Sequence, residues 1–260
     1  MTCYDLHTHS TASDGSLTPE ALIARAIEHD VDVLALTDHD GTEGIDAATI
    51  AAKGTDLDLI AGVELSVTWG SKTVHIVGLD IDINNQQLQQ GLAKLRDYRV
   101  GRAEEIAKRL AKAGIEGALD GARKYASDVM LGRLHFAQFL VEQGLAKDNN
   151  DVFKRYLVRN KPGYVPGKWA SLEDAMTWIN AAGGQAVIAH PARYKLGKNL
   201  LNELLLEFRA LGGSGIEVIT GSHTPEQSLI FAHHANRMNL LASCGSDFHG
   251  PKESYFDFLK

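Results

Sequence analysis

Short apolar runs alternate along this chain with stretches whose apolar residues recur every three or four positions, the pattern of strands alternating with amphipathic helices. CYDLHTH, residues 3–9, reads as the first strand. Thr18-Pro19-Glu20 opens a helix that runs to His29, because threonine caps well and proline suits the first helical position. VDVLALTDH is almost continuous in apolar residues, as a strand buried on both faces should be. DLIAGVELSVTW and KTVHIVGLDI follow as the third and fourth strands, joined by a two-residue turn at Gly70-Ser71.

From about Asn84 to about Asn160 the strand pattern stops. QQLQQGLAKLRDYRVGRAEEIAKRLAKAG predicts one long amphipathic helix ended by Gly114, and GRLHFAQFLVEQG and DVFKRYLV predict shorter ones. Lys161-Pro162-Gly163 and Val165-Pro166-Gly167 are turn punctuation and mark the expected return to the first region. Helices SLEDAMTWINAAG, NLLNELLLEFRALG and PEQSLIFAHHANRMN then alternate with strands QAVIAH, GIEVI and LLASCGSDFH. The expected fold is α/β: a barrel over residues 1–85 and 161–260, interrupted by a helical subdomain over 86–160.

Composition narrows the class. The 260 residues are 44% hydrophobic and 23% charged, ordinary for a globular protein. No apolar run approaches the roughly 18 residues a membrane helix needs. The start, MTCYDLHTHS, lacks the basic and apolar regions of a secretory leader. With only Cys3 and Cys244, a disulfide framework is not expected, so a reducing cytoplasm is the expected compartment. A net charge of −7 disfavours a stable complex with long nucleic acid, which needs a basic face. It leaves room for a small phosphorylated partner, since bound cations reverse a local acidic field.

Histidines and carboxylates recur at strand ends. His7 and His9, two apart on a strand, project from one face about 6–7 Å apart, close enough for one metal. Asp14 follows in the loop. Asp38-His39-Asp40 ends the second strand, Glu64 falls near the end of the third, and His75 lies in the fourth. His190 closes QAVIAH, and Asp247-Phe248-His249 repeats the i, i+2 spacing after the last strand. One histidine at a strand end is ordinary. Two such pairs with four further candidates, at the end of the strands where parallel α/β folds place their sites, point to a metal centre. Asp5 and Asp38 fit better as groups that orient ligands, His29, His223, His233 and His234 as surface residues, and the two cysteines as small buried fillers. Arg99 and Arg102 fit a solvated helix face or a phosphate site equally well. Arg133 and His135, at the start of a helix, and Arg193 beside His190 fit an anion site better.

DLHTHSTASDG, LALTDHDGTEG, GVELS, HIVG, IAHPAR and GSDFHG resemble successive motifs of the polymerase and histidinol phosphatase (PHP) family. The resemblance covers roughly residues 1–85 and 162–250, and implies a distorted (β/α)7 barrel with two or three divalent metals. Carried over residue by residue, His7, His9, Glu64 and Asp247 would hold one metal. Asp14, His39 and His249 would hold a second, and Glu64 would bridge to a third completed by His75 and His190. Some members carry histidine where this chain has Asp14. A carboxylate there favours manganese or iron over zinc, and manganese is the expected metal.

Metal ions can activate water, neutralise phosphoryl oxygens and align nucleophile with leaving group. No Ser-His-Asp arrangement, phosphate-binding glycine loop or cysteine nucleophile competes with that chemistry. The expected mechanism is attack of a metal-bound hydroxide on phosphorus, with Asp247 and His249 as the catalytic pair. The insertion carrying Arg102 and GRLHFA, followed by AHPAR, resembles the nucleoside 3′,5′-bisphosphate phosphatase branch of the family. That implies removal of a 3′-phosphate to leave a 5′-nucleotide, with Arg102, Arg133, His135 and Arg193 binding the substrate. Leu134 stands where some relatives have proline. The alternatives are a 5′-3′ exoribonuclease on short 5′-phosphorylated oligonucleotides, a histidinol-phosphate phosphatase, and a metal-binding module of a polymerase without activity of its own.

Overall fold

A computed structural model describes residues 2–126, 130–251, Ser254 and Phe258. Seven strands form one sheet in the order of the chain: β1 (Tyr4–Thr8), β2 (Val33–Leu36), β3 (Asp58–Trp69), β4 (Lys72–Leu79), β5 (Gln185–Ile188), β6 (Gly215–Thr220) and β7 (Leu241–Gly245). The chain splits into two compact units, one of residues 1–93 and 169–260 and the other of residues 94–168.

In the first unit β1, β2 and β3 run parallel, as do β5, β6 and β7, whereas β4 is antiparallel to both its neighbours. The two-residue turn dictates this reversal. Gly70 takes φ +55, and Trp69 pairs directly with Lys72. His75, near the start of β4, therefore shares an end of the sheet with residues at the finish of the parallel strands. The sheet almost closes on itself. His9 N donates to Phe248 O at 2.9 Å and Asp247 N to His7 O at 2.9 Å, joining β1 to the segment that follows β7. Closure needs Gly245, because a Cβ there would lie 2.3 Å from His7 Cβ.

Side chains alternate across the barrel wall. Leu34 and Leu36 of β2 face α1 (Pro19–Glu28) and α2 (Ile45–Ala52), packing with Leu22, Ile23, Ile45 and Phe248. Ala35, between them, packs with Val77, Leu79, Val187 and Ala189 on the other face. Thr18 caps α1 by accepting from Ala21 N at 3.2 Å, as its sequence predicts. The pattern did not disclose α2: its cap is Gly44, which makes no side-chain bond, and its alanine-rich sequence gives little periodicity.

Helix α3 (Gln86–Lys112) spans the division between the units, ending two residues before Gly114 at φ +85. The second unit adds α4 (Ala118–Arg123), α5 (Arg133–Glu142) and α6 (Asn149–Val152), the last running into a π-helical turn at Phe153–Leu157. Its core is Ile106, Leu110, Phe136, Phe139, Leu140, Val152, Leu157 and Val165. The turns at 161–167 belong to this unit rather than marking its end. Gly163 N donates to Tyr156 O, Tyr98 Oη donates to Pro166 O, and Val165 is buried in the helical core. Both unit boundaries therefore lie eight residues beyond the expected 86 and 160.

The chain then returns to the first unit through α7 (Leu172–Ala181), α8 (Lys198–Ala210) and α9 (Pro225–Met238), which alternate with β5, β6 and β7. Reciprocal capping boxes fix the starts of α7, through Ser171 and Asp174, and of α9, through Thr224 and Gln227. Among the described residues no helix is long and apolar enough to cross a membrane.

Candidate metal centre

All nine residues singled out as ligands meet at one end of the barrel. His7 and His9 leave β1 on the same face, with ring centroids 5.0 Å apart. Glu64 of β3 lies at the middle, fully buried. Its Oε1 is 2.8 Å from His75 Nδ1 and 2.9 Å from His190 Nε2. Its Oε2 is 2.8 Å from His39 Nδ1 and 3.4 Å from both His7 Nε2 and His9 Nε2. Asp247 Oδ1 stands 3.2 Å from His9 Nε2 and 3.6 Å from His7 Nε2. Asp14 Oδ1 is 3.3 Å from His249 Nε2, and its Oδ2 is 3.9 Å from His39 Nε2.

Their ligating atoms form four overlapping groups: His9, Asp14, His39 and His249; His7, Glu64 and His190; His7, His9 and Asp247; and His39, Glu64 and His75. This differs from the partition the family resemblance implied. His9 also reaches the group containing Asp14, and His75 and His190 fall into different groups although both approach Glu64 Oε1.

The donor set fits divalent cations. His7 Nε2, both nitrogens of His9 and Glu64 Oε2 are buried without a hydrogen bond, although polar atoms lie close by. Lone pairs converge there instead of a donor meeting an acceptor. A buried polar atom left so costs about 1–3 kcal/mol, which a cation ligated by these atoms would remove. Imidazole and carboxylate without thiolate suit borderline and hard divalent metals.

Charge within the cluster is ordered. Burial works against an ionised Glu64, but His39, His75 and His7 hold its carboxyl well below the usual range. Burial likewise opposes the charge on Asp247, which Arg193, His249 and His7 outweigh. Burial would lower His249, yet without a metal Asp14 and Asp247 raise it to about 10, so a cation binding there would displace its proton. Burial and the neighbouring His249 push His9 down to about 3, keeping that imidazole neutral as a ligand must be.

The surrounding residues divide into those expected and those missed. Arg193 Nη2 is 2.7 Å from Asp247 Oδ2, and half of its side chain is exposed. Asp5 and Asp38 hold backbone and hydroxyl groups beside the ligands, Asp5 Oδ1 accepting from His7 N at 3.4 Å. Asp5 Oδ1 accepts from Ser246 N at 2.8 Å, and Asp38 accepts from Ser10 N, Ser10 Oγ and Ser13 Oγ at 2.8, 2.7 and 2.5 Å. Cys3 and Cys244 are only partly buried, and neither forms a disulfide. His223, expected at the surface, is half-buried just past β6, stacked on Phe231 and accepting from Ala192 N at 3.4 Å. Glu217 was overlooked. It is buried on β6, 2.7 Å from His7 Nδ1, and its only sequence signal was a charge inside an apolar strand.

The helical unit holds a cluster of cations. Arg99 and Arg102 of α3 are 9% and 8% exposed, so they do not lie on a solvated face. Burial, then the nearby Arg133 guanidinium, lowers Arg102 to about 10, and burial with Arg99 lowers Arg133. Arg102 Nη2 donates to Val165 O at 3.0 Å, and the Arg133 guanidinium sits 5.5 Å from the Phe153 ring centroid. His135 caps its own helix, its Nδ1 accepting from Gly132 N at 3.0 Å, so any bond it makes to a ligand would use Nε2.

Known proteins are similar to this chain in sequence and fold. The family model described as the PHP domain matches residues 5–164. The 3′,5′-nucleoside bisphosphate phosphatase of Chromobacterium violaceum is 50% identical over 97% of this chain and 89% of its own length. The 5′-3′ exoribonuclease Rnm of Escherichia coli is 48% identical over 95% of this chain and 85% of its own. A solved structure of an amidohydrolase from Chromobacterium violaceum, with bound sulfate and no metal, superposes with a TM-score of 0.94 at 50% identity. The match covers 96% of this chain and 89% of that one.

Proposed function

The chain belongs to the PHP domain family, and on that premise we propose that it is a metal-dependent phosphoesterase that removes the 3′-phosphate of nucleoside 3′,5′-bisphosphates. The observation that carries this reading is the convergence of nine histidines and carboxylates, among which His7 Nε2, both nitrogens of His9 and Glu64 Oε2 are buried without a hydrogen bond. Divalent metals held there, manganese first among them, would activate water and neutralise phosphoryl oxygens. His7, His9, Asp14, His39, Glu64, His75, His190, Asp247 and His249 are the residues that hold them.

The protein's own groups supply the rest. Asp247, kept ionised by Arg193 and His249, presents a charged carboxylate to the centre. Arg193 keeps Asp247 oriented, and its exposed half can meet a phosphoryl oxygen. His249 Nδ1 donates to Asp247 O at 2.9 Å, which leaves Nε2 as the ligating nitrogen. Arg102 and Arg133, with Arg99, form a set of like charges packed together, which an anion would relieve. We assign these arginines, with His135, to a phosphate that is not cut. That Cys3 and Cys244 form no disulfide accords with a cytoplasmic location.

A second reading rests on the 48% identity to an exoribonuclease, nearly that of the phosphatase relative. The two are separated by assaying phosphate or nucleotide release from a nucleoside 3′,5′-bisphosphate, a 5′-phosphorylated dinucleotide and histidinol phosphate side by side with manganese. The bisphosphate should have the highest kcat/KM. Preference for the dinucleotide selects the exonuclease, and turnover of none with no metal bound overturns the phosphoesterase reading.

A further inference from the structure

Glu217 lies in the middle of β6, inside the apolar run GIEVI, and is fully enclosed. Its Oε1 is 2.7 Å from His7 Nδ1, and its Oε2 accepts the backbone N–H of His190 at 2.5 Å. Neither contact uses a ligating edge. His7 turns Nε2 toward Glu64 and Asp247, and His190 turns Nε2 toward Glu64. One carboxylate therefore grips, from behind, two residues of the centre that come from different parts of the chain.

Both grips fix a conformation with alternatives. A neutral imidazole can carry its proton on either nitrogen, and only the form protonated at Nδ1 offers Nε2 to a metal. A carboxyl oxygen 2.7 Å from Nδ1, placed to accept its proton, selects that form. His190 takes φ +27, a conformation that residues with side chains rarely adopt, and the hydrogen bond its backbone N–H donates to Glu217 Oε2 holds it there. That residue begins the turn Pro191–Tyr194, which also carries Arg193 to Asp247. Gly245 leaves the room required. A Cβ at that position would lie 2.3 Å from His7 Cβ and 3.1 Å from Glu217 Oε1.

We propose that Glu217 is a positioning residue of the metal centre, holding the His7 ring in its Nδ1-protonated form and the His190 turn in register. It thereby sets the divalent-cation affinity of the group made by His7, Glu64 and His190. This inference rests on the metal centre of the proposed function but not on which phosphate is cut. The group of His9, Asp14, His39 and His249 makes no hydrogen bond to Glu217 among the described residues, so its affinity should change little.

The test is Glu217→Gln. A carboxamide has one acceptor oxygen and an NH2 donor, so it cannot receive both N–H groups. Chelator-stripped protein would be titrated with Zn2+ and with Mn2+ by calorimetry, and its retained metal measured after dialysis. The variant should bind its weakened metal about 10–100-fold less tightly than the wild type while still binding at the other group. In proton–nitrogen correlation spectra of the Zn2+-loaded wild type, assigned with His7→Gln, the His7 proton should sit on Nδ1. This second measurement does not depend on the folding of the Glu217 variant. Wild-type affinity and metal content in Glu217→Gln, or a His7 proton on Nε2, would overturn the proposal. A wild-type protein that binds neither metal would overturn the metal centre itself.

Discussion

Asp38→Ala should weaken the protein through the loop that carries Asp14. The Asp38 carboxylate accepts three hydrogen bonds, from Ser10 N, Ser10 Oγ and Ser13 Oγ, and is 2% exposed. Bonds to a charged acceptor contribute about 1.5–3 kcal/mol each, so three would give about 4.5–9 kcal/mol if they added. They oppose a cost. Burial raises this carboxyl from 3.8 to about 6, against the hydrogen bonds from Ser13 and Ser10. That elevation, with the hydrogen bonds already included, disfavours the charged form by about 3 kcal/mol. Alanine strands the Ser10 N–H and the two serine hydroxyls, at about 1–3 kcal/mol for each that finds no other partner, so the loss is about 2–5 kcal/mol and the melting temperature should fall by about 5–15 °C. Melting would be followed by circular dichroism with chelator present at neutral pH, where the carboxyl is charged. The sign of its pH dependence is fixed as well. The folded carboxyl binds its proton more tightly than the unfolded one, so its effect on stability becomes less favourable as pH rises from 3.8 to about 6. That segment should vanish in the variant. Since Asp38 braces residues 10–13, the metal held through Asp14 should weaken too. An unchanged melting temperature with unchanged metal content would refute the reasoning.

The remaining predictions concern the centre and the cation cluster. His9→Ala should reduce bound metal, read by elemental analysis, and abolish turnover, because His9 belongs to two of the four ligand groups. Manganese at 100 times its dissociation constant should stabilise stripped protein by about 2.7 kcal/mol per site. Differential scanning calorimetry should show a rise of about 5–10 °C that excess chelator reverses. Arg133→Ala should raise KM for a nucleoside 3′,5′-bisphosphate at least tenfold, about 1.4 kcal/mol, with metal content unchanged. Metal loss in that variant would contradict a role confined to the substrate.

The sequence by itself determined the alternation of strands and helices, because each strand carries its own apolar run and helices such as α1, α7 and α9 carry their own caps. It determined the ligand candidates for a similar reason. Histidine and carboxylate at strand ends are chemically conspicuous, and two pairs at i, i+2 spacing announce a shared face. The Gly70-Ser71 turn even fixed the reversal of β4. Local signals weakened where a role depends on a distant partner. Glu217 has meaning only because His7, 210 residues away, turns Nδ1 toward it. Asp38 resembled a group that orients a ligand, yet its partners are Ser10 and Ser13 of the loop after β1.

Tertiary structure also decided which arginines are buried and where the helical unit ends. Turn residues at 161–167 say that the chain bends, but not which helix it bends back upon. Packing settled that, by placing Val165 in the core with Leu110 and Phe136. The same holds for the metal centre. Sequence chemistry supplied nine candidates, whereas near-closure of the barrel decided which nitrogen of each imidazole faces which oxygen. That facing is set by distances between strands, which no spacing along a single strand contains.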